Sequence, residues 1–332
     1  MGAAGRRDPA VSHATEEVRR LGMPWRFVLP VSFAVGSALS AIGILFVPQI
    51  LGADAWLYAD AARAWVTGAD PWMTGPPAAV FAGPPTMLVP FLPFVGMPHN
   101  AIAALWVTVN LVATVWLLRK LRLPGYWLGF LPIFAVVALG HIEMLAVILL
   151  LFGGRLGGLA VVIKPYMGFA LVAQRRWGAI AVGLIVVAVT APFLPWSQFL
   201  GEAEHVTASL AAQSHGDSVF GNPLAMGIAI VALASLGWRR ALWLGAPLLW
   251  PFAQHDYKLM ALPILTPVVA IFWAIPLPGA ALTGVVAQAA LERIDARRPL
   301  PAWVRDGIRP LTSLGDAMTG SAGASLSRSA AG

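Results

Sequence analysis

Three places in this 332-residue chain set ionisable side chains among apolar ones in a way that suits chemistry. The first is Asp54, which follows a long apolar run and is trailed by Tyr58 and then Ala61. If 53–67 is helical, the three share one face. A carboxylate at the mouth of a cavity could then take a proton from a hydroxyl that attacks an activated carbon. The competing reading of Asp54 is a loop aspartate settled against a helix N-terminus.

The second place is Lys164, mid-way along an apolar stretch and followed by Pro165 and Tyr166. An ammonium in hydrocarbon costs roughly 2.5–3.5 kcal/mol, so a lysine there is a functional candidate by default. Pro165 disrupts the helix and could aim Lys164 into a polar cavity, where a movable point charge with three donors suits a phosphate. A lysine that snorkels to an interface is the alternative. The third place is His255-Asp256-Tyr257-Lys258. His255 and Lys258 could bind a phosphate or diphosphate leaving group, or His255 could relay a proton.

Weaker candidates surround these. The segment 196–221 offers Glu202, Glu204, His205, His215 and Asp217, followed by Asn222. Ligation by His205, His215 and a carboxylate is conceivable, but no spacing is diagnostic, so no metal ligand and no cofactor is assigned. His141 and Glu143 beside Gly140 mark either a cytoplasmic boundary or the floor of a cavity, and the sequence leaves both open. There is no G-x-x-x-x-G-K-[ST], H-E-x-x-H or G-x-S-x-G pattern, so nucleotide hydrolysis, zinc proteolysis and serine-esterase chemistry lack local support.

The elements that must position these groups are membrane helices. The chain is 58% hydrophobic and 11% charged, with a mean hydropathy of +0.76, against about a quarter charged in an average soluble domain. That composition predicts an all-α polytopic membrane protein. The net charge of +7 does not point to nucleic acid, because the basic residues lie between apolar runs and at the termini, where they set topology. The absence of cysteine excludes disulfides and thiolate metal sites.

About ten spans are expected, at roughly 25–47, 84–97, 100–118, 124–139, 141–153, 155–174, 177–195, 222–237, 240–253 and 258–275; 277–290 is ambiguous. Residues 1–24 read as a basic cytoplasmic tail, 25–290 as the membrane domain and 291–332 as an unfolded cytoplasmic tail. Arg19/Arg20, Arg175/Arg176, Arg239/Arg240 and Arg293/Arg297/Arg298 should be cytoplasmic. That places 48–83, 196–221 and 253–257 together on the extracytoplasmic side of a multi-pass protein of the cell membrane. Arg119-Lys120-Leu121-Arg122 falls outside on this count and disagrees. No internal period or pair of matching broken halves recurs, which disfavours a transporter built from inverted repeats.

Several motifs in order resemble one family. They are Asp54-x-x-x-Tyr58-x-x-Ala61, Gly68-x-x-Pro71-Trp72, Phe81-x-x-Pro84-Pro85, Gly140-His141, Lys164-Pro165 with Arg175-Arg176-Trp177, Gly221-Asn222, and Pro251 with His255-x-Tyr257. Over about 50–265 the chain is similar to glycosyltransferase family 87, the polyprenyl-phosphate-mannose-dependent mannosyltransferases and their relatives. Departures are Gly83 for an aromatic residue, His141 for glutamine, and Gln254 for tryptophan.

The resemblance implies a GT-C bundle whose active site faces the extracytoplasmic side. It implies inverting transfer of a hexose, mannose by family habit, from a polyprenyl-phosphate sugar to a glycolipid or glycan acceptor. Asp54 would be the catalytic base, and Tyr58, Arg63, Trp72, Lys164, Asn222, His255 and Lys258 the substrate-binding residues. A membrane transporter or lipid flippase, and a non-catalytic scaffold derived from such an enzyme, are the rival expectations.

Overall fold

A computed structural model describes residues 23–46, 51–75, 80–213, 218–251 and 253–319. The expected N-terminal tail, up to residue 22, and the end of the C-terminal one, from 320, lie outside the described residues. So do His215 and Asp217. Among the described residues the chain is all-helical, with no strand.

Sixteen α-helices are named here in chain order, with 3₁₀ turns between several of them. They are α1 (Met23–Phe46), α2 (Ala53–Val66), α3 (His99–Leu121), α4 (Leu131–Leu139), α5 (Glu143–Phe152), α6 (Gly158–Ile163), α7 (Gly168–Ala173) and α8 (Trp177–Thr190). The chain continues through α9 (Trp196–Gly201), α10 (Ala203–Gln213), α11 (Pro223–Ser235), α12 (Trp238–Leu249), α13 (Pro267–Trp273), α14 (Ala280–Arg297), α15 (Ala302–Gly307) and α16 (Ser313–Thr319).

Among the described residues only α1, over Pro24–Ile42, and α3 are long and apolar enough by themselves to cross a bilayer. A third candidate is the pair α4 and α5, bent by 119° at its break. The other expected spans are shorter or interrupted, and proline is the recurrent reason. The segment 84–97 forms two 3₁₀ turns, Pro85–Met87 and Val89–Phe94. Pro84, Pro85, Pro90 and Pro93 withhold four backbone donors within ten residues. Instead of crossing, this segment packs on α2, with the Phe91 ring edge-on to Tyr58 at 5.0 Å. The stretch 155–174 breaks at Lys164-Pro165 into α6, a 3₁₀ turn and α7. The stretch from 258 begins inside a ten-residue 3₁₀ run, His255–Ile264, long for that geometry and of the kind found where function interrupts a helix.

Among the described residues a small hydrophobic cluster joins Trp25, Val268 and Ile308, and two large ones hold the bundle. The larger gathers Phe33, Trp127, Trp243 and Trp273, with Phe33 edge-on to Trp127 at 4.9 Å. The smaller joins α2 to the proline-rich segment through Tyr58, Phe81, Phe91 and Trp106. The α4–α5 break lies at their seam, since Ile142 belongs to the smaller cluster and Met144 to the larger.

Gly140 makes that break. It ends α4 with φ +67°, and the N–H groups of Gly140 and His141 donate to Val137 and Val136 O at 3.3 and 3.0 Å, a Schellman motif. The turn is tied to the first loop by the N–H of Gly52, which donates to Ala138 O at 2.8 Å. The ends of α3 and α5 lie side by side, with Trp116 and Phe152 rings 5.2 Å apart. Arg176 donates from its guanidinium to the carbonyls of Leu150 and Gly154 at the same end of α5.

The expectation of an unfolded tail from 291 is corrected as far as 319. There α14 runs on to Arg297, and α15 and α16 follow. Polar anchors fix them despite the low apolar content. The Thr312 hydroxyl donates to Pro263 O at 2.6 Å and the Gln288 amide to Ile308 O at 2.8 Å, while Gly307 sits against the Trp25 ring.

Replacing Gly140 by valine tests the break. A Cβ there meets the Ala55 methyl at 3.1 Å in a left-handed backbone, a conformation that costs a non-glycine residue of order 1–3 kcal/mol. The purified variant should melt several degrees lower. Gly68→Ala, also at positive φ but with nothing near its Cβ, should lose less.

Candidate functional site

A cavity of about 510 Å³ opens between α2, the His141 break, the Lys164 break and the helices α8, α9 and α10. Its floor is polar, with Asp54, Tyr58, His141, Lys164, Tyr166, Gln254 and Tyr257; its upper walls are apolar, with Val161, Val187, Trp196, Phe199 and Leu210 among them.

The floor is assembled from three interrupted segments. Gly140 puts His141 and Glu143 at the start of α5. The Lys164-Pro165 break ends α6 and turns the lysine inward. The 3₁₀ run at 255 carries Asp256 and Tyr257. Lys164 Nζ lies 3.3 Å from His141 Nε2, 3.7 Å from Glu143 Oε2 and 4.0 Å from Asp256 Oδ2. It also stands 5.4 Å from the centre of the Tyr257 ring, within cation–π range. Tyr257 stacks on Tyr166 at 4.1 Å, and the Tyr166 hydroxyl donates to Glu143 Oε1.

His141 connects the cluster to the first loop. Its Nδ1 accepts from the Glu143 N–H at 3.2 Å. Its Nε2 faces Asp256 Oδ2 at 3.5 Å, Asp54 Oδ2 at 3.8 Å and the Lys164 ammonium at 3.3 Å. Tyr58 closes the other side, its ring edge-on to His141 at 5.7 Å.

Asp54, one residue into α2, keeps a quarter of its side chain exposed, and it lines the cavity. Burial pushes its carboxyl up to about 7, the Asp256 carboxylate adds to the rise, and Lys164 opposes it. A carboxyl at that value exchanges a proton readily near neutral pH.

His141, Glu143 and Asp256 offer one ligand atom each within 4.8 Å of one another, a donor set that could hold a metal ion. The Lys164 ammonium lies among these atoms.

Of the residues singled out in the sequence, Asp54, Tyr58 and Lys164 come together in the cavity. His255 and Lys258 lie near it, with the Lys258 Nζ 3.5 Å from His255 Nδ1, but they are not part of its lining. Trp72 is fully buried, and its indole N–H donates to Gly83 O at 3.0 Å, so it supports the loop and offers no face to a ligand. Arg63 donates to Val95 O at 2.8 Å and pairs with Asp60 at 3.2 Å, and it is not part of the cavity lining. Asn222 caps α11, its side-chain oxygen accepting from the Ala225 N–H at 3.1 Å. His141 lines the cavity and Glu143 stands beside it against Lys164, the cavity-floor alternative for this pair, while Asp256, Tyr166 and Tyr257 carry no role of their own in the sequence reading. The available signal was charge and hydroxyl placed beside Gly140, Pro165 and Pro251, where helices break.

Lys164→Met leaves Glu143 and Asp256 facing each other without the cation between them. Breaking a buried pair in this way costs about 3–5 kcal/mol. Thermal unfolding of the purified protein should show the loss, and adding Glu143→Gln should recover part of it.

Comparison with known proteins gives no matching family model, no matching curated protein and no matching solved structure.

Proposed function

We propose that the chain is a polytopic membrane glycosyltransferase. In this reading it moves a hexose, mannose by the family resemblance, from a polyprenyl-phosphate donor to a glycolipid or cell-envelope glycan on the extracytoplasmic face. The observation that carries the reading is the position of Asp54. A carboxyl that titrates near neutrality lies at the polar floor of a cavity, beside a lysine, under apolar walls fit for a lipid tail.

Asp54 takes the proton of the acceptor hydroxyl as that oxygen attacks the anomeric carbon. The new glycosidic bond forms on the face opposite the donor oxygen, so the configuration inverts. The bond to the phosphate breaks, and the polyprenyl phosphate leaves with the electron pair, without needing a strong acid. Lys164, released from its carboxylates by the incoming phosphate, offsets the charge that develops. His141 stands between Asp54 and Asp256, with Nε2 toward both.

The topology of the reading gains from the proline-rich segment. With 84–97 folded on α2, one crossing fewer precedes Arg119-Lys120-Leu121-Arg122. This cluster then falls on the side of Arg19 and Arg20. Arg175/Arg176 and the later arginines join it when 155–174, broken at Lys164-Pro165, also returns without crossing, an arrangement that suits the Arg176 bonds to Leu150 O and Gly154 O. The contact between the ends of α3 and α5 suits an α4–α5 pair that enters the membrane and returns. Asp54 and the helices α9 and α10 are then extracytoplasmic.

A second reading rests on the same breaks. Discontinuous helices with ionisable residues at their gap are also how transporters build substrate sites, so translocation without covalent change is the rival. Uptake by sealed liposomes containing the protein, with no new glycosidic product, would favour it.

With a short-chain polyprenyl-phosphate mannose as donor and membrane glycolipid as acceptor, Asp54→Asn should lower transfer about 10²–10⁴-fold, the usual worth of a general base. The variant should extract and melt like the parent. Full turnover by Asp54→Asn rejects the assignment. The pH dependence gives a separate check. Asp54 acts as the carboxylate, and its acid form dominates below about 7. Transfer efficiency should therefore rise with pH to half its plateau near 7, with no such limb in Asp54→Asn.

A further inference from the structure

A second concavity is a groove of about 620 Å³ between α11 and α14, which shares no lining residue with the polar cavity. Leu224, Gly227, Ile228 and Val231 line one side and Val286 and Ala290 the other, each set following the helical repeat. The groove is exposed along its length, with Leu224 at 76% and Val231 at 67%. A helix of the length of α11 rises about 20 Å, more than the roughly 15 Å of one leaflet's hydrocarbon.

One end of the groove is marked by charge. Ser235 and Arg293 close it, and the chain turns there through Gly237 into Trp238, Arg239 and Arg240. The Arg240 guanidinium pairs with Glu292, which sets Arg293 at this same end. Glu292 also accepts from the Gln288 amide at 2.6 Å, and Asp295 accepts from the Leu300 N–H at 2.8 Å. Both acidic groups of this stretch of α14 are thus engaged, while Arg293, Arg297 and Arg298 stay exposed. The exposed Trp238 has Arg239 on its ring at 5.6 Å and Arg175 at 5.4 Å, an aromatic–basic belt of the sort found at headgroup level.

We infer that this groove is a binding site for an anionic glycerophospholipid of the cytoplasmic leaflet. One acyl chain lies along Gly227 and Ala290, and the headgroup phosphate rests on Arg293. A basic pocket between helices on the cytoplasmic side is the setting in which such headgroups are held. The site is separate from the transfer chemistry; it rests only on the membrane placement proposed above.

Native mass spectrometry of the full chain, released from detergent with phosphatidylglycerol or phosphatidylcholine added, tests it. Phosphatidylglycerol should be retained preferentially. Arg293→Gln should weaken it about fivefold, the worth of one basic residue at an anionic surface, and leave phosphatidylcholine unchanged. Gly227→Phe, at a position with nothing within 4 Å of its Cβ, should fill the groove and displace both lipids with the melting temperature preserved. Equal retention of the two lipids, or no response to either substitution, overturns the site. A dimer that Gly227→Phe dissolves while lipid retention is unchanged overturns it in favour of self-association. A chain that fractionates as soluble sinks the membrane placement itself, whereas an extracted chain without lipid preference sinks only this inference.

Discussion

The Lys164 ammonium is the group on which the arrangement of this protein turns. It sits among Glu143, Asp256 and His141 in surroundings that are otherwise apolar, and removing charges from water is tolerable only when each finds a partner. Three chain segments must therefore stop being regular helix at the same point in space. Gly140 ends one, Pro165 ends the second, and the third runs as a 3₁₀ helix from His255. The helix breaks are not defects around which the site happens to form. They are the geometric requirement for bringing these four side chains within reach of one another.

The same cluster determines what Asp54 can do. An aspartate exposed at a helix start is ionised well below neutrality, and as a base it would be weak. Here the neighbouring Asp256 and the burial raise it, while Lys164 limits the rise. His141 lies between the two aspartates with its Nε2 toward both. The chain carries histidine at this position where the resembled family has glutamine. Either side chain can donate a hydrogen bond there, but only histidine adds a ring for Tyr58 to pack against.

Much of this was legible in the residues, and the illegible part has physical causes. The all-helical class followed from composition, and Asp54, Tyr58 and Lys164 stood out because polar groups in apolar sequence need a reason. Span counting fared less well. Hydropathy measures transfer of residues and is blind to backbone donors, so 84–97 scored as a span although its prolines break it into two 3₁₀ turns. The tail from 291 read as unfolded because its apolar content is low, yet its Thr312 hydroxyl donates to Pro263 O and its Ile308 carbonyl accepts from the Gln288 amide. Trp72 and Asn222 drew attention through motif position, and their burial and capping roles depend on neighbours that no local pattern reveals. Asp256 was visible in the sequence, but its partners Glu143 and Lys164 lie far upstream, and only tertiary structure joins them.

The tie between the Gly52 N–H and Ala138 O has a consequence for how this chain can change over evolutionary time. It locks the start of the helix that carries Asp54 to the last turn before the break by a backbone bond, which side-chain substitution cannot remove. Gly52 has no room to grow, since a Cβ there would fall 2.3 Å from that of Ala103. Lengthening or shortening the chain between 52 and 54 would therefore rotate Asp54 off the cavity floor by about 100° per residue at the helical repeat. Drift in this part of the sequence should thus proceed by replacement of side chains around a loop whose residue count is fixed.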